Sequence, residues 1–230
     1  MNHKIVYIAI LISFLSGCNS ESISPNKEIY LGLDYFPLEV GRFIEYNVDQ
    51  TLYDLFGETT SQFQVKTVIS DSFEVNGYTT YVINKFIRIS ENEQWQIDAV
   101  WSANILDNKL VLQQGNVNHA KLIFPIKEGK TWDGNTYNTI DEDMYEMRNV
   151  NLSYTIDTIT FPETVTVIQH ENLDLLVETD YRVEVFAKDV GLIYNEVQQI
   201  AYCSDFDCFG QQIINEGIVY KQTIIAYGNE

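Results

Sequence analysis

The side chains that could do chemistry are few and badly placed to cooperate. Two histidines lie beyond the first few residues, His119 on the polar side of an alternating run and His170 in the polar stretch Gln169-His170-Glu171-Asn172. Both read as solvated surface residues. Ser24-Pro25-Asn26-Lys27 fits the S-x-x-K pattern of serine acylases, but neither S-D-N nor K-T-G follows it. It also falls in a polar stretch that offers no rigid frame for a nucleophile. Carboxylates are plentiful, 33 Asp and Glu in all, so a pair suited to glycoside hydrolysis could form, yet spacing singles out none. The clusters Asp141-Glu142-Asp143 and Asp205/Asp207 lack the D-x-[DN]-x-[DN]-G spacing of a calcium loop and read as solvated acidic faces. There is no H-E-x-x-H, G-x-S-x-G, Walker loop or dinucleotide glycine fingerprint. No catalytic residue, metal or cofactor is therefore nominated, and the chain is expected to be non-enzymatic.

Cysteine is the informative residue type. Lys4 precedes an apolar run from Ile5 to Leu15, and Ser16-Gly17 leads into Cys18. That is a secretory leader of the lipoprotein kind, with residues 1–17 removed and acyl chains such as palmitate carried by Cys18. An eleven-residue run is too short for a transmembrane helix, which needs ~20 residues. Export places the remaining Cys203 and Cys208 in an oxidising compartment, and an even remainder argues for a disulfide. Free thiols and a metal site are the alternatives, the latter short of further soft ligands. The bridge would close the short polar loop Ser204-Asp205-Phe206-Asp207 at a hairpin tip.

The elements that would position these residues are strands. Residues 18–28 form a polar, Ser-rich tether, and 29–230 read as a single β-rich domain. Phe63, Val65, Thr67 and Ile69 alternate with polar neighbours. So do Trp95, Ile97, Ala99 and Trp101, and Tyr181, Val183, Val185 and Ala187, the last set opposed by Arg182, Glu184 and Lys188. Period two marks half-buried antiparallel strands. Asn76-Gly77 between two such runs predicts a hairpin turn. No twelve-residue window carries a capped helical stripe; the best short candidate is 141–147. Net charge is −19 and becomes one unit more negative when Lys4 leaves with the leader. That field repels nucleic acid and anionic headgroups, so membrane attachment falls to the lipid.

Phe36-Pro37-Leu38-Glu39-Val40-Gly41-Arg42-Phe43-Ile44-Glu45 and Phe124-Pro125-Ile126-Lys127-Glu128-Gly129-Lys130-Thr131-Trp132-Asp133 match in register, 88 residues apart. Duplication and convergent loop chemistry both account for the echo; either way, proline stiffens and glycine turns a loop that feeds a strand. Phe36-Pro37-Leu38…Gly41…Tyr46, Phe124-Pro125…Gly129…Trp132 and Val185-Phe186-Ala187-Lys188-Asp189-Val190-Gly191-Leu192-Ile193 together resemble a lipoprotein family of Bacteroidota without assigned function. The resemblance spans roughly residues 34–200. It implies a fold similar to lipoprotein-localisation factors: a single curved antiparallel sheet, half-barrel or open barrel, around an apolar interior. The chain lacks the helix that plugs the sheet in those carriers. The fold class expected is all-β with little helix.

Aromatic residues carry the remaining expectations. Trp95, Ile97 and Trp101 would share one face of a continuous strand and, with Trp132, line either a filled core, an apolar ligand cavity or a platform for sugar rings. Asp157-Thr158-Ile159 resembles the O-glycosylation triplet of exported Bacteroidota proteins, with Thr158 as acceptor. Three roles follow: a binding or structural module with a protein partner, a carrier or sensor of a lipid or other apolar ligand, and a glycan-active enzyme using paired carboxylates. The expected location is the bacterial envelope. Asn19 after Cys18, in place of the aspartate that retains lipoproteins at the inner membrane, favours the outer one by resemblance.

Overall fold

Alternation of apolar and polar residues builds strands along almost the whole of residues 31–230, which a computed structural model describes. The leader, Cys18 and the tether lie outside the described residues. A 3₁₀ turn (Leu33–Tyr35) precedes β1 (Arg42–Asp54), β2 (Gly57–Val75), β3 (Tyr78–Arg88), β4 (Gln96–Leu106), β5 (Lys109–Gln114) and β6 (Val117–Ile123). A second six follows: β7 (Thr131–Asp133), β8 (Met144–Ile156), β9 (Ile159–Leu173), β10 (Glu178–Ala187), β11 (Gly191–Tyr202) and β12 (Ile214–Asn229). All twelve form one antiparallel sheet in the order β6-β5-β4-β3-β2-β1-β12-β11-β10-β9-β8-β7. The all-β expectation of a single curved sheet holds. Residues 141–143 are loop and 144–147 begin β8, so the short helical candidate is strand.

The expected turns appear where their chemistry demands. Asn76 (φ 52°) and Gly77 (φ 82°) make the tight β2–β3 turn, with positive φ at both positions, a geometry that matches the strand twist. The two echoed segments occupy equivalent places. Gly41 (φ 97°) turns the chain into β1 and Gly129 (φ 71°) turns it towards β7, so each copy opens a six-strand meander. Both lie at the same end, joined by Ile126 N donating to Leu31 O at 3.0 Å.

Every strand except β6 and β7 has two paired neighbours, and these two edges meet each other. Ala120 N in β6 donates to Gly134 O just after β7 at 2.8 Å, and Trp132 Nε1 donates to Ala120 O at 2.7 Å. Asn138 Nδ2 adds a bond to Asn118 O at 2.9 Å. The sheet is thereby nearly closed into an up-and-down barrel, which hides most of its edges. The closure needs Gly134: a Cβ there would sit 2.3 Å from the Tyr145 ring.

Side chains from facing strands meet in the interior. Ile83, Leu110, Leu112 and Leu122 from β3, β5 and β6 belong to one buried cluster with Met147, Val165, Val167 and Phe186 from β8, β9 and β10. Tyr35 and Phe124 from the two echoed ends pack into the same cluster. A second cluster gathers Tyr46, Val48, Val65, Val185, Ile193 and Ile224.

Candidate functional site

Of the four residues proposed to line one cavity, Trp95 and Ile97 are separated from Trp101 by a β-bulge, and Trp132 lies on β7. Lys85 pairs with Ala99 while Phe86 pairs with Ile97, so β4 spends one extra residue, Asp98, against β3. Directly paired residues share a face, and a one-residue slip exchanges faces. Trp101 stays inward, opposite Ile83 and packed against the first core cluster. Ile97 turns outward and is 62% exposed. Trp95 lies beside Val68 and Phe86 in a shallow outer depression, with the Arg88 guanidinium 4.1 Å above its ring. Trp132 is in the core at the seam, edge-on to Tyr145 at 5.8 Å. Two of the four line core and two line surface.

Polar groups expected in solvent are instead buried at the seam. Glu184 is 4% exposed, and Lys121 Nζ reaches its Oε1 at 2.6 Å; its Oε2 has no partner among the described residues. The alternation of β10 hides this because Val183 through Ala187 are all buried, on both faces. Arg182 grips Asp143 through Nη1 and Nη2 at 2.7 and 3.1 Å and also Asp180, a bidentate arrangement of high specificity. Burial opposes the Arg182 charge, but these carboxylates outweigh it and raise its pKa. Asp133 Oδ1 accepts from Asn135 N and Asp143 N. Asp133 and Asp143 thus help build the closure, whereas Asp141 and Glu142 are exposed as expected. His119, expected in solvent, is half-buried, and desolvation followed by the nearby Lys121 charge lowers its pKa. His170 is exposed as expected. Burial also raises the phenols of Tyr46 and Tyr145, and pushes Tyr35 up to about 12.

Cys203 and Cys208 are bonded, with Cα atoms 5.8 Å apart, in the loop between β11 and β12. This is the pairing that the cysteine parity predicts, and Asp205 lies beside the two sulfurs. Thr158 is exposed at the β8–β9 hairpin tip, beside Asp157 (φ 51°).

The feature that strand periodicity did not nominate is apolar and exposed. Leu55 and Phe56, 96% and 98% exposed, form the β1–β2 turn; Phe206 in the disulfide loop is 100% exposed. Leu173, Leu175, Leu176 and Val177 stand about half-exposed at the β9–β10 connection. The pairings Tyr53↔Gly217, Tyr202↔Ile214 and Thr179↔Ile200 put all three tips at one end of the barrel, which we call the distal rim. A cue existed in the sequence: adjacent Leu55-Phe56 before Gly57, where a hairpin tip is ordinarily polar.

At the opposite end an open depression of about 620 Å³ has Leu33, Phe36, Leu38, Tyr81 and Ile105 on its apolar side and Asp34, Arg42 and Lys188 on its polar side. Its chemistry is mixed. Burial raises the Asp34 carboxyl pKa, and Lys188, with Nζ 3.9 Å away, counters this.

Comparison with known proteins gives a distant likeness in structure. A candidate exported protein with a YmcC-like fold from Bacteroides fragilis NCTC 9343 superposes with a TM-score of 0.41 at 13% identity, over 84% of this chain and 98% of that one. A candidate lipoprotein from Parabacteroides distasonis ATCC 8503 gives 0.39 at 10% identity, with the same coverages. No family model matches the chain. No curated protein matches it.

Proposed function

We propose that the chain is a lipid-anchored protein of the bacterial envelope, attached through Cys18 and held at the outer membrane, whose barrel serves as a non-enzymatic binding or structural module. The observation that carries this reading is where the apolar side chains go. Those of the interior meet across the barrel, whereas the most exposed large ones, Leu55, Phe56 and Phe206, stand at loop tips. A carrier of an apolar ligand needs the reverse: a concavity of several hundred Å³ lined by apolar groups. Trp95 and Ile97 face outward, and Trp101 packs against the core, so the aromatics do not form such a lining. Anchoring follows the leader and Cys18, and the strongly acidic chain leaves the lipid as the means of attachment. Thr158 at an exposed tip is accessible to O-glycosylation.

The test is titration of a fluorescent apolar probe, N-phenylnaphthylamine, into the mature chain carrying Cys18→Ser. The expected result is no saturable site that quenches Trp101. One-to-one binding that quenches Trp101 and persists in a Phe56→Ser/Phe206→Ser variant would establish a carrier instead.

A further inference from the structure

We propose that the distal rim is a docking surface for a protein whose apolar receptor patch is framed by lysine and arginine side chains. The proposal rests on the reading of the chain as an anchored binding module and names the surface and the partner's chemistry.

The three tips are neighbours along the rim. β1, β12, β11 and β10 are consecutive in the sheet, so adjacent hairpin tips stand about 10 Å apart at ~4.8 Å per strand. A Cβ on Gly210 in the disulfide loop would lie 3.9 Å from Leu176 Cδ2 in the next tip. Each tip is also held in shape. Asp54 Oδ1 accepts from Phe56 N at 2.7 Å, and Asp174 Oδ1 accepts from Leu176 N at 2.8 Å. The Cys203–Cys208 bridge pins the third, where Phe209 N donates to Asp205 O at 2.8 Å. Leu55, Phe56 and Phe206 together present on the order of 500 Å². That is near the upper end of what monomers normally leave exposed. With the half-exposed leucines it approaches the ~800 Å² per partner of a standard interface.

Charge chooses the occupant. Residues 53–58, 173–178 and 203–213 contain Asp54, Glu58, Asp174, Glu178, Asp205 and Asp207, all exposed, and no lysine or arginine. Phe206 stands between two of these carboxylates. Insertion of the tips into a bilayer would press them against lipid phosphates. A second copy of the same rim would set six acids against six. A basic frame around an apolar patch satisfies both features at once and speeds encounter.

Position agrees. The described chain enters at the other end, where Leu31 and Arg42 precede or begin β1. The 13 residues of β1 span roughly 40 Å. The rim is therefore at the far end of the barrel from Leu31, where the described chain begins.

The experiment is photo-crosslinking of the full lipidated chain in its host cells, with p-benzoylphenylalanine replacing Phe56, Phe206 or Leu176, and Tyr78 at the opposite end as comparison. The expected result is one protein adduct common to the three rim positions and absent from Tyr78. Its crosslinked peptide should be apolar and flanked by Lys or Arg. Asp54→Asn/Asp205→Asn/Asp207→Asn should lower the yield about tenfold while leaving the melting temperature unchanged. Adducts of twice the chain mass, lipid adducts, a partner peptide without basic residues, an undiminished yield in the Asn variant, or no rim adduct would each overturn the proposal. A protein adduct from Tyr78 alone would sink the rim and leave the binding-module reading standing. Protein adducts from no position would count against both.

Discussion

Replacing Lys121 with methionine isolates the energetics of barrel closure. The ammonium sits 2.6 Å from Glu184 Oε1, and the two side chains are 14% and 5% exposed. Glu184 Oε2 already lacks a partner among the described residues. Lys121→Met keeps the length and bulk of the stem but leaves a carboxylate desolvated with no counter-charge. Breaking a buried pair in this way costs about 3–5 kcal/mol, far above the ~0–1 kcal/mol of an exposed pair. Removing both charges should restore most of that. Lys121→Met/Glu184→Met is expected within ~1 kcal/mol of the parent or more stable than it, because the orphaned oxygen disappears as well. The assay is urea unfolding of the domain, read as a shift of midpoint at constant slope, for the parent, both single variants and the double. A loss under ~1 kcal/mol for Lys121→Met would refute the reasoning, because it would mean that water reaches Glu184 and that the seam is open.

Alkaline pH tests the buried phenols. A tyrosine whose folded pKa is raised keeps its proton after the unfolded chain has lost it, so its stabilising contribution falls as pH rises above about 10. Tyr46 and Tyr145, each almost fully buried, should each steepen the decline by about 1.4 kcal/mol per pH unit. Tyr46→Phe should flatten the slope by about half a proton at pH 10, approaching one proton above pH 11, at a cost near 1 kcal/mol at pH 8 for its bond to Leu192 O; an unchanged slope would contradict its burial. Trp132→Ala should lose about 3–5 kcal/mol in chemical denaturation and Trp95→Ala under ~1 kcal/mol, the order expected of core and surface. Equal losses would place the two in one environment. Cys203→Ser/Cys208→Ser should cost about 2 kcal/mol, since the bridge closes a short loop, and a loss above ~4 kcal/mol would show that the loop supports the barrel itself.

Strand pattern, turn chemistry and cysteine parity were legible because each is local. Asn76-Gly77 demands its turn, and Gly41 and Gly129 demand theirs wherever the segments end up. Faces were less legible. A single inserted residue at Asp98 moves Trp95 and Ile97 to the outside while leaving the local alternation intact. Burial of Glu184 was hidden for another reason: its partner Lys121 is 63 residues away, and the two meet only when the edges β6 and β7 come together. The same closure hides His119 and gives Asp133 and Asp143 structural roles that an acidic cluster does not announce. The distal rim escaped because each tip is a short apolar interruption of a polar turn, and it becomes a surface only through strand order.

A binding module of the kind proposed works with its surface and carries no ligand inside the barrel. Native mass spectrometry of the mature Cys18→Ser chain, exported and purified from its own host without detergent, tests that claim most directly. The expected mass is that of the bare polypeptide less two hydrogens for the Cys203–Cys208 bridge, the same before and after denaturation. A stoichiometric adduct that is released on denaturation, and that survives Phe56→Ser/Phe206→Ser, would contradict it by placing a ligand inside.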